Sequence, residues 1–226
     1  MQCPDLPKSE GLLWTAAWSG TLGVSWNNQP VKIDDLLRRQ DELQSEAAAL
    51  RSDLALDTHL SRHGIVMDVG SAALGLMVWR DLDLTVVCRR LDVGQVADTG
   101  AQLARHQRVR EVRIRNDTGA WNCDLGYPDG LYLGLDCRGH AGEQWKVDIW
   151  FVDEPERQPD LAHAQDLPAR LTRETRTAIL VVKDAWVRRP EYGKYVTSWD
   201  IYRAVLDDGV RTVAEFEQWT RQRRTK

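Results

Sequence analysis

The sequence predicts an α+β protein, with about five strands packed with helices and a C-terminal helical part. Three observations predict it. A stretch of helical spacing comes first, short apolar segments follow between residues 65 and 152, and the helical period returns after a polar stretch that contains prolines. The expected division is an irregular N-terminal segment over 1–32, a main domain over 33–155 and a helical part over 169–226.

Residues 1 to about 30 carry Pro4, Pro7, Gly11, Gly20, Gly23 and Pro30, which interrupt every pattern. Leu12, Leu13, Trp14 and Trp18 are nevertheless apolar enough to dock onto the body. From Ile33 to about Ser61 the chain reads as helix, with Asp34 and Asp35 near its start and Leu36, Leu43, Ala47, Leu50 and Leu54 at helical spacing. Strands are expected at Ile65–Val69, Leu82–Cys88, Val109–Arg115, Leu131–Cys137 and Trp145–Val152, with a helix over Leu91–Gln107 between the second and third. Asp153 to Pro168 reads as a linker or long loop. Three helices close the chain: Leu171–Arg188, ended before Pro190, then Ser198–Leu206 and Thr212–Arg221.

With 226 residues, 42% of them apolar and 28% charged, the chain has the make-up of an ordinary globular protein long enough to bury a core. A net charge of −4 argues against a long nucleic-acid track, although a local basic groove depends on distribution and not on the sum. The basic run Arg221 to Lys226 reads as a solvated helix end. No apolar run approaches the ~20 residues a bilayer span needs, and the N-terminus shows no secretory pattern, so a cytoplasmic location is expected. Cys3, Cys88, Cys123 and Cys137 are scattered without a C-x-x-C pair, which suits reduced thiols there.

The residues that carry chemistry are Asp68-Val69-Gly70-Ser71 and, ten residues on, Asp81-Leu82-Asp83-Leu84. A glycine-serine turn leaving a strand can hold phosphate oxygens on backbone N–H groups and a hydroxyl. On the next strand Asp81 and Asp83 share a face, because strand side chains alternate, while Leu82 and Leu84 face a core. A third carboxylate, Asp148, sits between Val147 and Ile149 in an apolar strand, where it is costly unless paired, hydrogen-bonded or metal-bound. Its plain alternative is a salt bridge to Lys146 or Arg113. Asp68 and Asp153 read as solvated or capping residues.

Gly70-Ser71-Ala72-Ala73-Leu74-Gly75 followed by Asp81-Leu82-Asp83-Leu84, with Asp148 on a later strand, resembles the signature of the DNA polymerase β-type nucleotidyltransferase superfamily. Its members include poly(A) and uridylyl polymerases, oligoadenylate synthases and antibiotic nucleotidyltransferases. The resemblance implies a nucleotidyltransferase-like mixed sheet of about five strands, with 33–155 as the catalytic domain. It implies an NTP substrate, ATP among the candidates, and two Mg²⁺ or Mn²⁺ ions held by Asp81, Asp83 and Asp148. Magnesium is commonly held by a few carboxylates plus substrate phosphates, and two ions about 3.5–4 Å apart can stabilise both the attacking and the leaving oxygen. Asp148 would also help deprotonate the acceptor hydroxyl, and Gly70 and Ser71 would hold the β- and γ-phosphates.

A second resemblance lies in the helical part. Ile179 to Trp186 and Val196 to Tyr202 are similar to the nucleotide-binding helices of terminal uridylyltransferases and poly(A) polymerases. It implies that Lys183 meets the triphosphate, while Ser198 and Trp199 meet phosphate and base. Those enzymes often carry another lysine one turn earlier, where this chain has Ile179; Lys194 is a substitute from the loop. The plain alternative makes Lys183 a snorkelling side chain, Trp199 core and Ser198 an N-cap.

The leading expectation is therefore a metal-dependent nucleotidyltransferase that moves a nucleoside monophosphate from an NTP to an acceptor hydroxyl and releases pyrophosphate. A short acidic chain favours a small-molecule or protein acceptor over long nucleic acid. The alternative is a non-catalytic nucleotide-binding sensor or toxin–antitoxin-type component with the same fold. An unrelated α+β protein with a solvated Asp-x-Asp strand is the third.

Overall fold

A computed structural model of the chain describes residues 32–124 and 126–224. The expected irregular N-terminal segment, with Leu12, Leu13, Trp14 and Trp18, lies outside the described residues, as does Cys3. The chain divides into two compact units, Gln40–Ala169 and a second that joins Arg170 onward with the chain up to Arg39.

The larger unit holds a five-stranded mixed sheet. Its strands are β1 (Gly64–Val69), β2 (Asp81–Cys88), β3 (Val109–Asp117), β4 (Gly130–Arg138) and β5 (Gln144–Val152), in the spatial order β1-β2-β5-β4-β3. Only β2 and β5 run parallel, and the other neighbours are antiparallel. Their alternation decides the two faces. Leu82, Leu84 and Val86, with Leu131, Leu133, Leu135, Val147, Ile149 and Phe151, are buried in one hydrophobic cluster. Leu43, Ala47 and Leu50 from α1 (Ile33–Asp53) and Leu54 just after it complete that cluster, together with Val96 and Leu103 from α4 (Val93–Leu103). The opposite parity, including Asp81, Asp83 and Asp148, is left to the other face.

Two segments depart from the sequence expectation. The helix read from Ile33 to Ser61 stops at Asp53; Ala55 turns left-handed at φ 47° and a short helix, α2 (Leu56–Leu60), follows. On a continuous helix Leu54 and Leu56 would point about 200° apart. The break lets both reach the core, where they are fully buried, and Arg51 bridges it by pairing with Asp57 and Asp68. The second departure is 153–168. Within it lies α5 (Pro159–Asp166), which packs against β1 and the one-turn helix α3 (Gly70–Leu74) through a face that buries Leu161. Pro159 stands in the first turn, where its missing N–H costs nothing.

The helical unit contains α6 (Arg173–Trp186), α7 (Ser198–Leu206) and α8 (Val213–Arg224), packed on one another. Thr172 with Thr175, and Thr197 with Asp200, form reciprocal capping pairs that satisfy the first N–H groups of α6 and α7. Trp186 meets Phe216 edge-on at 5.1 Å in its core. No helix among the described residues is long and apolar enough to cross a membrane. Cys88 and Cys137 are free and buried.

Candidate functional site

β1 delivers the chain to Gly70, which takes a left-handed φ of 63° as it enters α3. Glycine is required there twice over. A side chain would be strained at that φ, and a Cβ would collide with the Asp83 carboxylate, which fills the space a methyl group would need. Antiparallel pairing of Val69 with Asp83 brings the turn against the strand. Ser71 is buried, and Gln44 of α1 pins the turn by donating its side-chain amide to the Ala72 carbonyl at 2.5 Å.

The parallel pairing of β2 with β5 sets Asp83 beside Asp148 and Asp81 beside Lys146. One carboxylate oxygen from each of Asp81, Asp83 and Asp148 lies within 4.8 Å of the others. Three oxygen donors at that separation suit a hard divalent cation. Crowding tells on the protons. Burial first, then the charges of Asp81, Asp148 and Asp160, push the Asp83 carboxyl well above its ordinary value. Lys146 answers the cluster: despite its burial, Asp81, Asp148 and Asp83 hold its ammonium above the usual lysine range.

Asp148 is held at both oxygens. Lys146 is ion-paired to Oδ2, and the Tyr132 hydroxyl donates to Oδ1 at 2.6 Å. Arg113 instead pairs with Glu111 and Asp136, so of the two salt-bridge partners weighed for Asp148 the structure uses Lys146. Tyr132 reaches across because Gly134 stands between: a Cβ at Gly134 would run into the Tyr132 hydroxyl. Burial and the neighbouring Asp148 push the phenol pKa up, which keeps Tyr132 a donor. Sequence reasoning missed Tyr132, Gly134 and Asp160. The only signal for the first two was their shared parity on β4.

Lys183, Ser198 and Trp199 belong to the helical unit. Lys183 is fully buried, with Nζ 3.2 Å from the Tyr202 hydroxyl and 5.5 Å from its ring centre. Ser198 is the first residue of α7 and not its cap, since Thr197 accepts the capping bond. The Ser198 hydroxyl pairs with the Tyr192 hydroxyl at 2.6 Å. Trp199 is partly exposed and so is not core.

The fold has solved counterparts. A mutant of the Cid1 poly(U) polymerase bound to MgATP matches with a TM-score of 0.55 at 17% identity, covering 77% of this chain and 54% of that one. Cid1 in complex with the UTP analogue UMPNPP matches at 0.52 and 17%, covering 77% and 53%. The MgGTP-bound Cid1 poly(U) polymerase matches at 0.50 and 18%, covering 77% and 54%. The chain thus spans about half the length of these structures. No family model matches it, and no curated protein matches it in sequence. At such identities the match shows the fold alone, which this chain shares with the Cid1 structures.

Proposed function

We propose that this chain is a metal-dependent nucleotidyltransferase that moves a nucleoside monophosphate from an NTP to an acceptor hydroxyl. The observation that carries the reading is the convergence of Asp81, Asp83 and Asp148 on one sheet face beside the Gly70 turn. The donor set fits Mg²⁺ or Mn²⁺, two ions by the resemblance, which would supply positive charge against the triphosphate and the developing oxyanion.

In this reading Asp81 and Asp83 hold the metal from β2, and Asp148 completes the site from β5. Gly70 N–H and the Ser71 hydroxyl face the β- and γ-phosphates. Asp148 receives the acceptor proton as the hydroxyl oxygen bonds to the α-phosphorus; the bond to the β-phosphate oxygen breaks and its electron pair leaves with pyrophosphate. Lys183, Ser198 and Trp199 are the residues proposed for nucleotide contact in the helical unit. The acceptor remains a hydroxyl of unspecified class, because the fold lends no support to a small-molecule or protein acceptor over long nucleic acid.

One observation favours the second reading, a nucleotide-binding module without turnover. Lys146 already places a cation against Asp148, the oxygen cluster that a metal would otherwise neutralise. Thermal unfolding with ATP, GTP, CTP and UTP, each with and without Mg²⁺ or Mn²⁺, tests nucleotide binding on the parent and on Asp83→Asn. Pyrophosphate release in the same mixtures separates the two readings. A metal-dependent shift lost in Asp83→Asn, with release, supports transfer. A shift without release supports the module, and no shift removes the site.

A further inference from the structure

At the far end of the sheet, on the other face, lies a cleft of about 200 Å³ that the triad does not use. It forms because β1 and β2 are antiparallel, with Gly64 opposite Cys88. Arg62 and His63, just before β1, therefore meet Arg89 and Arg90, just after β2, at the start of α4. Cys88 is five residues beyond Asp83, about 17 Å along an extended strand, and of opposite parity. A ligand here is not the nucleotide at the triad.

The charge in this cleft is unbalanced. Elsewhere in the unit Arg51, Arg80 and Arg108 each sit on a carboxylate. Arg89 makes no hydrogen bond or ion pair among the described residues. Arg62 donates to the neutral side chain of Gln102 at 3.1 Å. Arg90, 83% exposed, comes no closer than 3.8 Å to Asp92, the one lining carboxylate. Asp92 is already engaged, since it caps α4 by accepting from the Gln95 backbone N–H at 3.0 Å. His63 adds no positive charge at neutral pH, because burial and Arg62 hold its imidazole below the ordinary range. Its ring packs edge-on against Phe151 at 5.1 Å and forms an apolar wall.

Three arginines that line a small cleft carry guanidinium donors suited to the oxygens of a tetrahedral oxyanion, which accept paired N–H donors. We propose that Arg62, Arg89 and Arg90 form a phosphate-binding site, separate from the triad, for a phosphomonoester or for the phosphodiester of a nucleic-acid strand. The proposal goes beyond nucleotidyl transfer and stands whether or not the triad turns over.

The test uses the full chain in EDTA, so that the carboxylate triad holds no metal and recruits no phosphate. Two probes are measured: pyrophosphate by thermal unfolding, and a fluorescein-labelled 12-nucleotide single strand by anisotropy from 50 to 200 mM salt. The variant is Arg89→Ala with Arg90→Ala, both exposed. The control is Arg110→Ala with Arg138→Ala, two exposed arginines elsewhere with the same change in net charge. The expected result is binding by parent and control, weakened at least tenfold in the Arg89/Arg90 variant. For the strand, the slope of log K against log salt should also fall by about 1.4, from two lost phosphate contacts at ~0.7 each. A response to pyrophosphate identifies a free phosphorylated ligand as the source. Strand binding that millimolar pyrophosphate does not displace identifies a nucleic-acid backbone. Equal losses in variant and control, or no binding of either probe by the parent, would overturn the site.

Discussion

The Tyr132 hydroxyl donates to Asp148 Oδ1 at 2.6 Å from the neighbouring strand, through the space that Gly134 leaves by having no side chain. The contact orients the third carboxylate of the triad, and Lys146 holds its other oxygen. Removing the hydroxyl leaves a charged acceptor one donor short, which costs about 1.5–3 kcal/mol.

Tyr132→Phe is therefore expected to unfold several degrees below the parent in metal-free buffer, at about 2–4 °C per kcal/mol for a chain of this size. Gly134→Ala should reproduce the loss, since the added methyl group displaces the phenol. Gly134→Ala made on the Tyr132→Phe background should cost much less than it does alone. Additive losses in the double variant, measured by differential scanning fluorimetry, would show that the glycine acts through something other than the tyrosine.

Burial and the charges of Asp81, Asp148 and Asp160 all press on the Asp83 carboxylate. Asp83→Asn keeps the shape and removes one charge, so the metal-free variant is expected to melt above the parent. With saturating Mg²⁺ and nucleotide the order should reverse. The parent gains about 2.7 kcal/mol at a hundred times the dissociation constant, and the variant gains little. A variant that keeps the parental ligand shift would remove Asp83 from the metal site.

Much of this centre is legible in the sequence, and the reason is strand parity. Asp81 with Asp83, set against Leu82 with Leu84, and Asp148 between Val147 and Ile149, announce which face each carboxylate takes. Their meeting was not legible from period alone, because it depends on β2 and β5 running parallel across two intervening strands and a helix. The resemblance supplied that step. Ala55 could not be foreseen as a break, since alanine favours helix and only the burial of both Leu54 and Leu56 overrides it. The α5 helix hid behind Pro159 and a weak apolar stripe. Asp160, which adds to the pressure on Asp83, hid with it.

The raised Asp83 carboxyl also sets a pH dependence. In the metal-free fold it keeps its proton to higher pH than in the unfolded chain, where its value is about 3.8. Between those values the native state binds more protons, so this group's contribution to stability falls as pH rises and is recovered as pH falls. His63 and His163, both lowered by burial, act the opposite way and weaken the fold as pH drops through 6.5. The difference between parent and Asp83→Asn isolates the carboxylate. The variant's advantage in melting temperature is expected to be largest at pH 8 and to shrink toward pH 4. Because metal binding must displace the proton, the Mg²⁺-induced shift of the parent should shrink over the same range. An advantage independent of pH would mean that Asp83 is ionised throughout.

Gly70→Ala tests whether the turn and the carboxylate form one unit. At φ 63° an alanine costs roughly 1–2 kcal/mol from backbone strain alone. Its methyl group also falls where the Asp83 carboxylate now lies. One of the two must move, and Asp83 is the terminal group of a side chain whereas Gly70 is fixed between β1 and α3. The expected result is a loss of stability that Asp83→Ala partly rescues, because the smaller side chain vacates the space. Gly119 is the internal control. It also has a left-handed φ, 55°, and a Cβ there would meet nothing within 4 Å, so Gly119→Ala should cost the strain term and show no rescue by Asp83→Ala. A double-mutant cycle over these positions, read as melting temperatures in EDTA, checks it. Equal coupling at Gly70 and Gly119 would place the effect in the backbone and not in the site.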